Sequence, residues 1–494
     1  MKTRRRSIRA TRRERDSLGV KAVPARALYG IFTQRAAETF RLSGRAPHPA
    51  LVRAYARIKK AAARANTRLG LLPARWGAAI GWAADRVIAG EIPHAAILDI
   101  FQAGAGTPAH MNVNEVLTNL ANERLGGRRG IYTPLHPNNH VNLGQSSNDV
   151  TPTAVRLMAL DLLAPLDAEA RALETAFRRL AARERDVVKP GRTHLQDAVP
   201  ITYGQVFLGW AESIGSAREA LATASDELAV IGLGGTAVGT GITAHPRFRA
   251  LVIRELSALV GRRLRPARST VTTTWSLRPL LACSAALRGL AVDLGKICFD
   301  LRLLASGPDT GLAELRLPEV EPGSSIMPGK VNPSVPEAVQ MACFQVSGND
   351  HTIALAAGAG ELELNVMTPL VAANLADSFE LLTRGARLLR ERCVEGLTVD
   401  RARVRKLVAG SLVEATGLSP YLGYEVTAEL VKEAQATGRP LRDVVRRHRL
   451  LGDRDLARIL APRALTAPQP TDVALRRRVQ RAPEYRAFKA ARGQ

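Results

Sequence analysis

An all-α fold organised around a central bundle of long helices is predicted by three observations. Hydrophobic residues make up 46% of the 494 residues but aromatics only 4%, with alanine and leucine predominating. That balance favours helix over sheet. From about residue 153, apolar side chains recur at three- and four-residue spacing, as at Val155, Met158, Leu162 and Leu166. Similar patterns occupy 201–226, 281–305, 334–357 and 372–392, and only Thr270–Trp275 reads as strand. Long helices with several apolar faces leave stripes exposed after one core is filled, which predicts oligomerisation.

At this length two or three packed units are expected. The pattern divides the chain into a basic tail (1–11), an N-terminal domain (12–148), a central helical-bundle domain (149–396), a small helical C-terminal domain (397–460) and a second basic tail (461–494). The net charge is +25, to which residues 1–15 contribute +7 and residues 474–494 contribute +6. Such arms read first as solvated tails, ahead of an organellar leader or a nucleic-acid contact. No apolar h-region follows the first arm, which argues against export. No apolar run reaches the length of a membrane span. Cys283, Cys298, Cys343 and Cys393 lack metal-ligand spacing and read as reduced core residues, which fits a cytoplasmic protein.

Along the chain, Tyr29-Gly30-Ile31 precedes a helical run through Ile58-Lys59-Lys60-Ala61-Ala62-Ala63. Gly104-Ala105-Gly106-Thr107 follows, where small residues allow close backbone approach and Thr107 presents a hydroxyl at a helix start. Next, Ser146, Ser147 and Asn148 offer two hydroxyls and an amide just before a helix N-terminus, whose free N–H groups and dipole suit a carboxylate. Capping explains one of these residues but not all. Gly191-Arg192-Thr193-His194-Leu195-Gln196-Asp197-Ala198 places a histidine between two helices; alone, such a histidine is more often a core residue than a catalyst. Gly232-Leu233-Gly234-Gly235-Thr236-Ala237 fits a dinucleotide fingerprint, but Glu219 to Leu228 before it reads as helix where a strand is required. A nicotinamide cofactor is therefore rejected.

The densest chemistry lies in Gly323-Ser324-Ser325-Ile326-Met327-Pro328-Gly329-Lys330-Val331-Asn332-Pro333. Its glycines and prolines favour an irregular loop, and Lys330 and Asn332 supply a point charge and a directional donor for an anion. A phosphate-binding loop is excluded, because five residues separate Gly323 from Gly329 and Val331 follows the lysine.

These eleven residues resemble the signature loop of the fumarase/aspartase superfamily, and residues 101–125, 145–149 and 191–198 resemble its other elements. The resemblance covers roughly 12–460 and implies a three-domain helical lyase that assembles as a homotetramer with shared active sites. It implies a small dicarboxylate substrate and requires no metal or organic cofactor. Ser324 is then the base that removes a Cβ proton, with His194 and Glu337 the other catalytic residues, Glu337 orienting the imidazole. Lys330, Asn332 and Thr193 would stabilise the aci-carboxylate, while Thr107, Ser146, Ser147 and Ser325 hold the other carboxylate and Asn148 faces the leaving group with His194. Pro108 and His110 depart from the family pattern, as does Asp309.

Within the family, Tyr29-Gly30, the Ile58 to Ala63 run, Ala105, His140-Val141-Asn142 and Pro336-Glu337 favour aspartate ammonia-lyase. Ser147, Gln34-Arg35 and Gly234-Gly235 favour class II fumarase, the alternative. A reading of another class is an inactive lyase scaffold that binds nucleic acid through its basic tails.

Overall fold

Short hairpins and long helices make up the fold, which a computed structural model describes over residues 10–492. Strands β1 (Thr11–Asp16) and β2 (Gly19–Pro24) pair antiparallel, with Thr11 opposite Pro24 and Asp16 opposite Gly19. Helices α1 (Ile31–Thr39), α2 (Pro49–Arg68), α3 (Ala74–Ile88) and α4 (Thr107–Arg124) follow. The 37-residue α5 (Ser147–Arg183) leads into a second antiparallel hairpin of β3 (Val188–Thr193) and β4 (Gln196–Thr202). Then come α6 (Tyr203–Leu228), α7 (Phe248–Val260), α8 (Thr270–Trp275), α9 (Arg278–Leu304), α10 (Ser334–Gly358) and α11 (Thr368–Leu389). The remaining strands are two residues long, Val230–Ile231 beside Arg265–Pro266 and Leu315–Arg316 beside Thr398–Val399. The all-α expectation holds.

The chain forms two compact units that are discontinuous in sequence. One holds residues up to 169 with 217–292 and 341–384; the other holds 170–216, 293–340 and the chain from 385 onward. In the first, α2 packs on α3 and α7. The side chain of His48 caps α2 by accepting the N–H of Ala50, and Pro49 occupies the first turn, where no N–H is needed. The helix buries Leu51, Ala54, Tyr55, Ile58, Ala61, Ala62 and Ala65, a three-to-four-residue stripe. Buried Glu115 of α4 accepts the N–H groups of Gly30, Phe32 and Thr33 at 2.9–3.1 Å, so a carboxylate holds the N-terminus of α1.

In the second unit, α12 (Arg401–Ala409), α13 (Ala415–Leu422), α14 (Tyr424–Thr437), α15 (Leu441–Arg447) and α16 (Asp453–Ile459) precede α17 (Pro462–Thr466), α18 (Val473–Arg481) and α19 (Pro483–Ala490). Leu418, Leu422, Val426, Leu430, Val444 and Leu456 form a buried cluster with Leu475, Val479 and Phe488. The segment 461–494, expected as a solvated tail, is thus largely a folded part of this cluster. Its apolar residues at 475, 479 and 488 are spaced among arginines whose charge dominated the composition.

Three further expectations are corrected. Residues 270–275 are helix α8: Ser269 caps it through the N–H of Thr272, and the hydroxyls of Thr273 and Thr274 bond back to carbonyls three residues earlier. These bonds override the β-propensity of the threonines. The strands occur elsewhere: the two longer pairs are closed by tight turns, and the two short ones join residues distant in sequence. At the N-terminus, residues 1–9 of the expected 1–11 tail lie outside the described residues, but Thr11 already belongs to β1. The adjacent Arg12 guanidinium donates to Glu14 at 2.7 Å and to the carbonyls of Pro24, Ala27 and Tyr29 at 2.6–2.9 Å, so this cation is structural.

Candidate active site

The residues expected at the site fall into two groups, one in each unit. In the first unit, Gly104–Gly106 make a tight turn with Ala105 at φ 56° and Gly106 at φ 70°, and the Ala105 N–H reaches the Val366 carbonyl at 2.9 Å. A Cβ on Gly106 would press on the methyl of Thr151 at 2.8 Å, so glycine lets the start of α4 approach α5. Thr107 is the first residue of α4 and is half-buried. One turn later His110 bonds the Ser147 hydroxyl through Nδ1 at 2.8 Å, which brings the faces bearing Thr107 and Ser147 together.

Ser146 to Asp149 form a capping box at the start of α5. The Ser146 hydroxyl accepts the N–H of Asn148 at 3.3 Å, and Asp149 accepts the N–H of Ser146 at 3.0 Å. The other oxygen of Asp149 accepts the N–H groups of Gly234 at 2.9 Å and Thr236 at 3.0 Å. The Asn148 side chain donates to the Ala237 carbonyl at 2.8 Å. The glycine-rich segment that resembled a dinucleotide fingerprint is therefore a loop clamped over the residues expected to bind substrate. Burial pushes the Asp149 carboxyl up to about 6 despite these N–H donors and the nearby Lys59. Lys59 is fully buried, and its ammonium donates to Asn142 Oδ1 at 2.8 Å and Gln145 Oε1 at 2.9 Å. Burial lowers its proton affinity well below the usual lysine value, while Asp149 opposes that shift. Sequence reading named neither Asp149 nor Lys59 as a site residue. The S-x-x-D spacing before a helix was the signal for Asp149.

In the second unit, Thr193 and His194 stand exposed at the tip of the β3–β4 hairpin. Thr193 pairs with Gln196, and the two turn residues His194 and Leu195 have φ of 56° and 60°. Two positive φ values are those of a type I′ hairpin turn, unusual without glycine or asparagine. His194 has no hydrogen-bond partner among the described residues. The base of the hairpin is fixed by a buried carboxylate that sequence reading missed. Glu314, fully buried, lies 2.6 Å from the Arg192 guanidinium and 3.4 Å from the Lys189 ammonium, and accepts the Tyr203 hydroxyl at 2.7 Å. Burial lowers Lys189 and Glu314 counteracts it, while burial and Glu314 both push Tyr203 up.

The signature loop is closed at its base. The Gly323 N–H donates to the Lys330 carbonyl at 2.9 Å and the Asn332 side chain donates to the Gly323 carbonyl at 2.5 Å. Within it, Ser324 Oγ accepts the N–H groups of Ile326 at 3.2 Å and Met327 at 3.1 Å. Two N–H groups aimed at one oxygen favour its anionic form. Ser325 beside it and Lys330 are exposed. Glu337, in the first turn of α10, has its carboxylate 3.7 Å from the Arg302 guanidinium and bonds no histidine among the described residues.

The fold is that of an all-helical lyase: a family profile described as Lyase matches residues 19–348, and one described as Fumarase C C-terminus matches 415–467. The chain is 47% identical over 470 residues to an aspartate ammonia-lyase of Pseudomonas fluorescens, covering 94% of this chain and 98% of that one. It is 46% identical over 440 residues to a class II fumarate hydratase of Chromobacterium violaceum, covering 88% and 95%. The solved structure of a fumarate lyase:delta crystallin from Brucella melitensis superposes with a TM-score of 0.90 at 44% identity, over 93% of this chain and all of that one. The chain belongs to the fumarase/aspartase superfamily of lyases.

Proposed function

We propose that the chain is an aspartate ammonia-lyase, converting L-aspartate to fumarate and ammonia. The observation that carries the reading is the pair of N–H groups on Ser324 Oγ. A serine must act here as an alkoxide, far below its ordinary tendency to ionise, and those donors lower that cost. Ser324 takes the Cβ proton, and the bonding electrons pass into the adjacent carboxylate as its aci form. Lys330, Asn332 and Thr193 stabilise that dianion. Return of the electrons forms the C=C bond and breaks the C–N bond, and the ammonium group leaves as ammonia beside Asn148 and His194. Thr107, Ser146, Ser147 and Ser325 hold the second carboxylate. The relatives named aspartate ammonia-lyase, at 45–47% identity for the first three, support this choice of substrate.

The active unit in this reading is a homotetramer whose sites combine residues of several copies. Support comes from the exposed, unpartnered His194 and from apolar side chains on helices: Val292 and Phe299 of α9, and Met341, Phe344 and Leu355 of α10, are 49–66% exposed. Gly289 and Gly348, inside those helices, have open space where a Cβ would stand. Such glycines weaken an isolated helix and suit close helix–helix approach. Assembly also supplies the route by which Glu337 reaches a histidine.

The similarity to a class II fumarate hydratase favours a second reading, L-malate to fumarate. Fumarate formation followed by ultraviolet absorbance, from L-aspartate and from L-malate with Ser324→Ala as the blank, separates the two. Turnover of aspartate alone supports the proposal. Turnover of malate alone replaces it with the fumarase, and silence with both refutes both.

A further inference from the structure

One of the side chains that depart from the family pattern touches, from behind, a hydroxyl proposed to bind substrate. His110 is 1% exposed, and its Nδ1 lies 2.8 Å from Ser147 Oγ. Its other nitrogen, Nε2, lies 3.4 Å from the side-chain nitrogen of Asn114, one turn further along α4. The ring stacks on Tyr55 with centroids 5.8 Å apart and an interplanar angle of 23°, and the Tyr55 hydroxyl is tied to Thr151 at 3.0 Å. The imidazole is thus held on two edges and one face. The Asn142 side chain also hydrogen-bonds the ring and favours its charged form, and the buried Lys59 opposes that form. Burial first, and Lys59 next, keep it well below the usual histidine value, so the ring is neutral.

A neutral imidazole carries one N–H and one acceptor nitrogen. Taking the Asn114 amide nitrogen as the donor to Nε2 places the proton on Nδ1. Nδ1–H then donates to Ser147 Oγ, and the hydroxyl hydrogen must point elsewhere. With a histidine acceptor instead, the hydroxyl would spend its hydrogen on the ring and present only lone pairs to an incoming anion.

We propose that His110 is a positioning residue that turns the Ser147 hydroxyl hydrogen outward, making Ser147 an obligatory donor to the substrate carboxylate. The inference rests on the reading above, in which Ser147 holds the carboxylate that does not take up the aci charge. That interaction is equally strong in ground and transition states, so losing it raises KM and leaves kcat nearly alone.

The test combines steady-state kinetics on L-aspartate with calorimetric binding of succinate, a dicarboxylate that cannot react. Relative to the unsubstituted enzyme, His110→Leu raises KM and the succinate Kd by about tenfold, with kcat within about threefold. His110→Asn, whose amide falls where Nδ1 stood, recovers most of the affinity; His110→Gln, whose amide falls where Nε2 stood, does not. In a Ser147→Ala background, where affinity is already reduced, His110→Leu adds less than about twofold, because the two residues act as one. Unchanged KM in His110→Leu, additive losses in the double variant, or equal behaviour of Asn and Gln overturns the proposal. If His110→Leu does not fold, the Asn/Gln comparison decides. Failure of the parent enzyme on aspartate would strike the proposed function, whereas succinate binding indifferent to His110 strikes this inference alone.

Discussion

Gly323→Ala is the sharpest perturbation of the signature loop. A Cβ at this position would lie against the Lys330 carbonyl oxygen, with Lys330 C at 2.8 Å and Asn332 N at 2.9 Å. These are backbone atoms, and ordinary non-bonded separations are about 3.5–4.0 Å. The two strands of the loop base must therefore part by about 1 Å, which breaks the Gly323–Lys330 and Asn332–Gly323 hydrogen bonds. Ser324, the next residue, moves with them. A 1 Å misplacement of a reacting group costs roughly 10²-fold in rate. Because the loop is exposed, stability should fall by only about 1–2 kcal/mol, one or two hydrogen bonds. The expected result is kcat for fumarate formation reduced about 100-fold with a near-native melting temperature. Gly329→Ala is the control, since nothing lies within 4 Å of its Cβ position and only its φ of +78° is strained. A Gly323→Ala enzyme within about threefold of the parent kcat would refute the claim that loop closure positions the base.

Three further outcomes follow from other parts of the chain. Burial opposes ionisation of Asp99, but hydrogen bonds from Phe101, Ser43 and Gly44 outweigh it and bring its carboxyl down to about 2. A depressed carboxylate stabilises the fold above its unfolded value and ceases to do so as pH falls through the folded one. The gap in denaturation midpoint between the parent and Asp99→Asn should therefore narrow from about pH 4 to about pH 2; a gap that widens contradicts the assignment. Truncation after residue 461 removes Leu475, Val479 and Phe488 from the C-terminal cluster, a loss of roughly 5 kcal/mol at about 1.5–3 kcal/mol per side chain. Thermal unfolding should show it, and an unchanged transition would mean that the segment is a solvated tail after all. Met341→Glu with Phe344→Glu places charge on an exposed apolar helix face and should shift sedimentation from the proposed tetramer to smaller species with loss of activity; an active tetramer would remove α10 from the proposed interface.

Some of the site was open to sequence reading because its chemistry is local. Ser324 and its loop follow from glycine, proline and lysine at fixed spacing, and the Ser146–Asp149 capping box lies within one helical turn. The Thr193–His194 element was expected between two helices and lies there, but its hairpin form was not foreseen. The strand that leads into its positive-φ residues is held at Lys189 and Arg192 by Glu314, more than a hundred residues away, which no local pattern encodes. Glu337, expected behind an imidazole, lies beside Arg302 within a single chain. The C-terminal arginines hid the fact that every few residues one apolar side chain was spoken for by α13 and α14.

By itself the sequence determined the helical class and the lyase family and pointed to the residues proposed to carry chemistry, because periodicity and loop motifs are properties of contiguous residues. Only the tertiary structure decided that β-branched 270–275 is a helix, that the basic C-terminus is folded, and that Lys59, His110 and Asp149 stand behind the proposed carboxylate pocket. Those outcomes depend on which distant groups bury one another, and desolvation and hydrogen bonding across that distance set both the local conformation and the charge state.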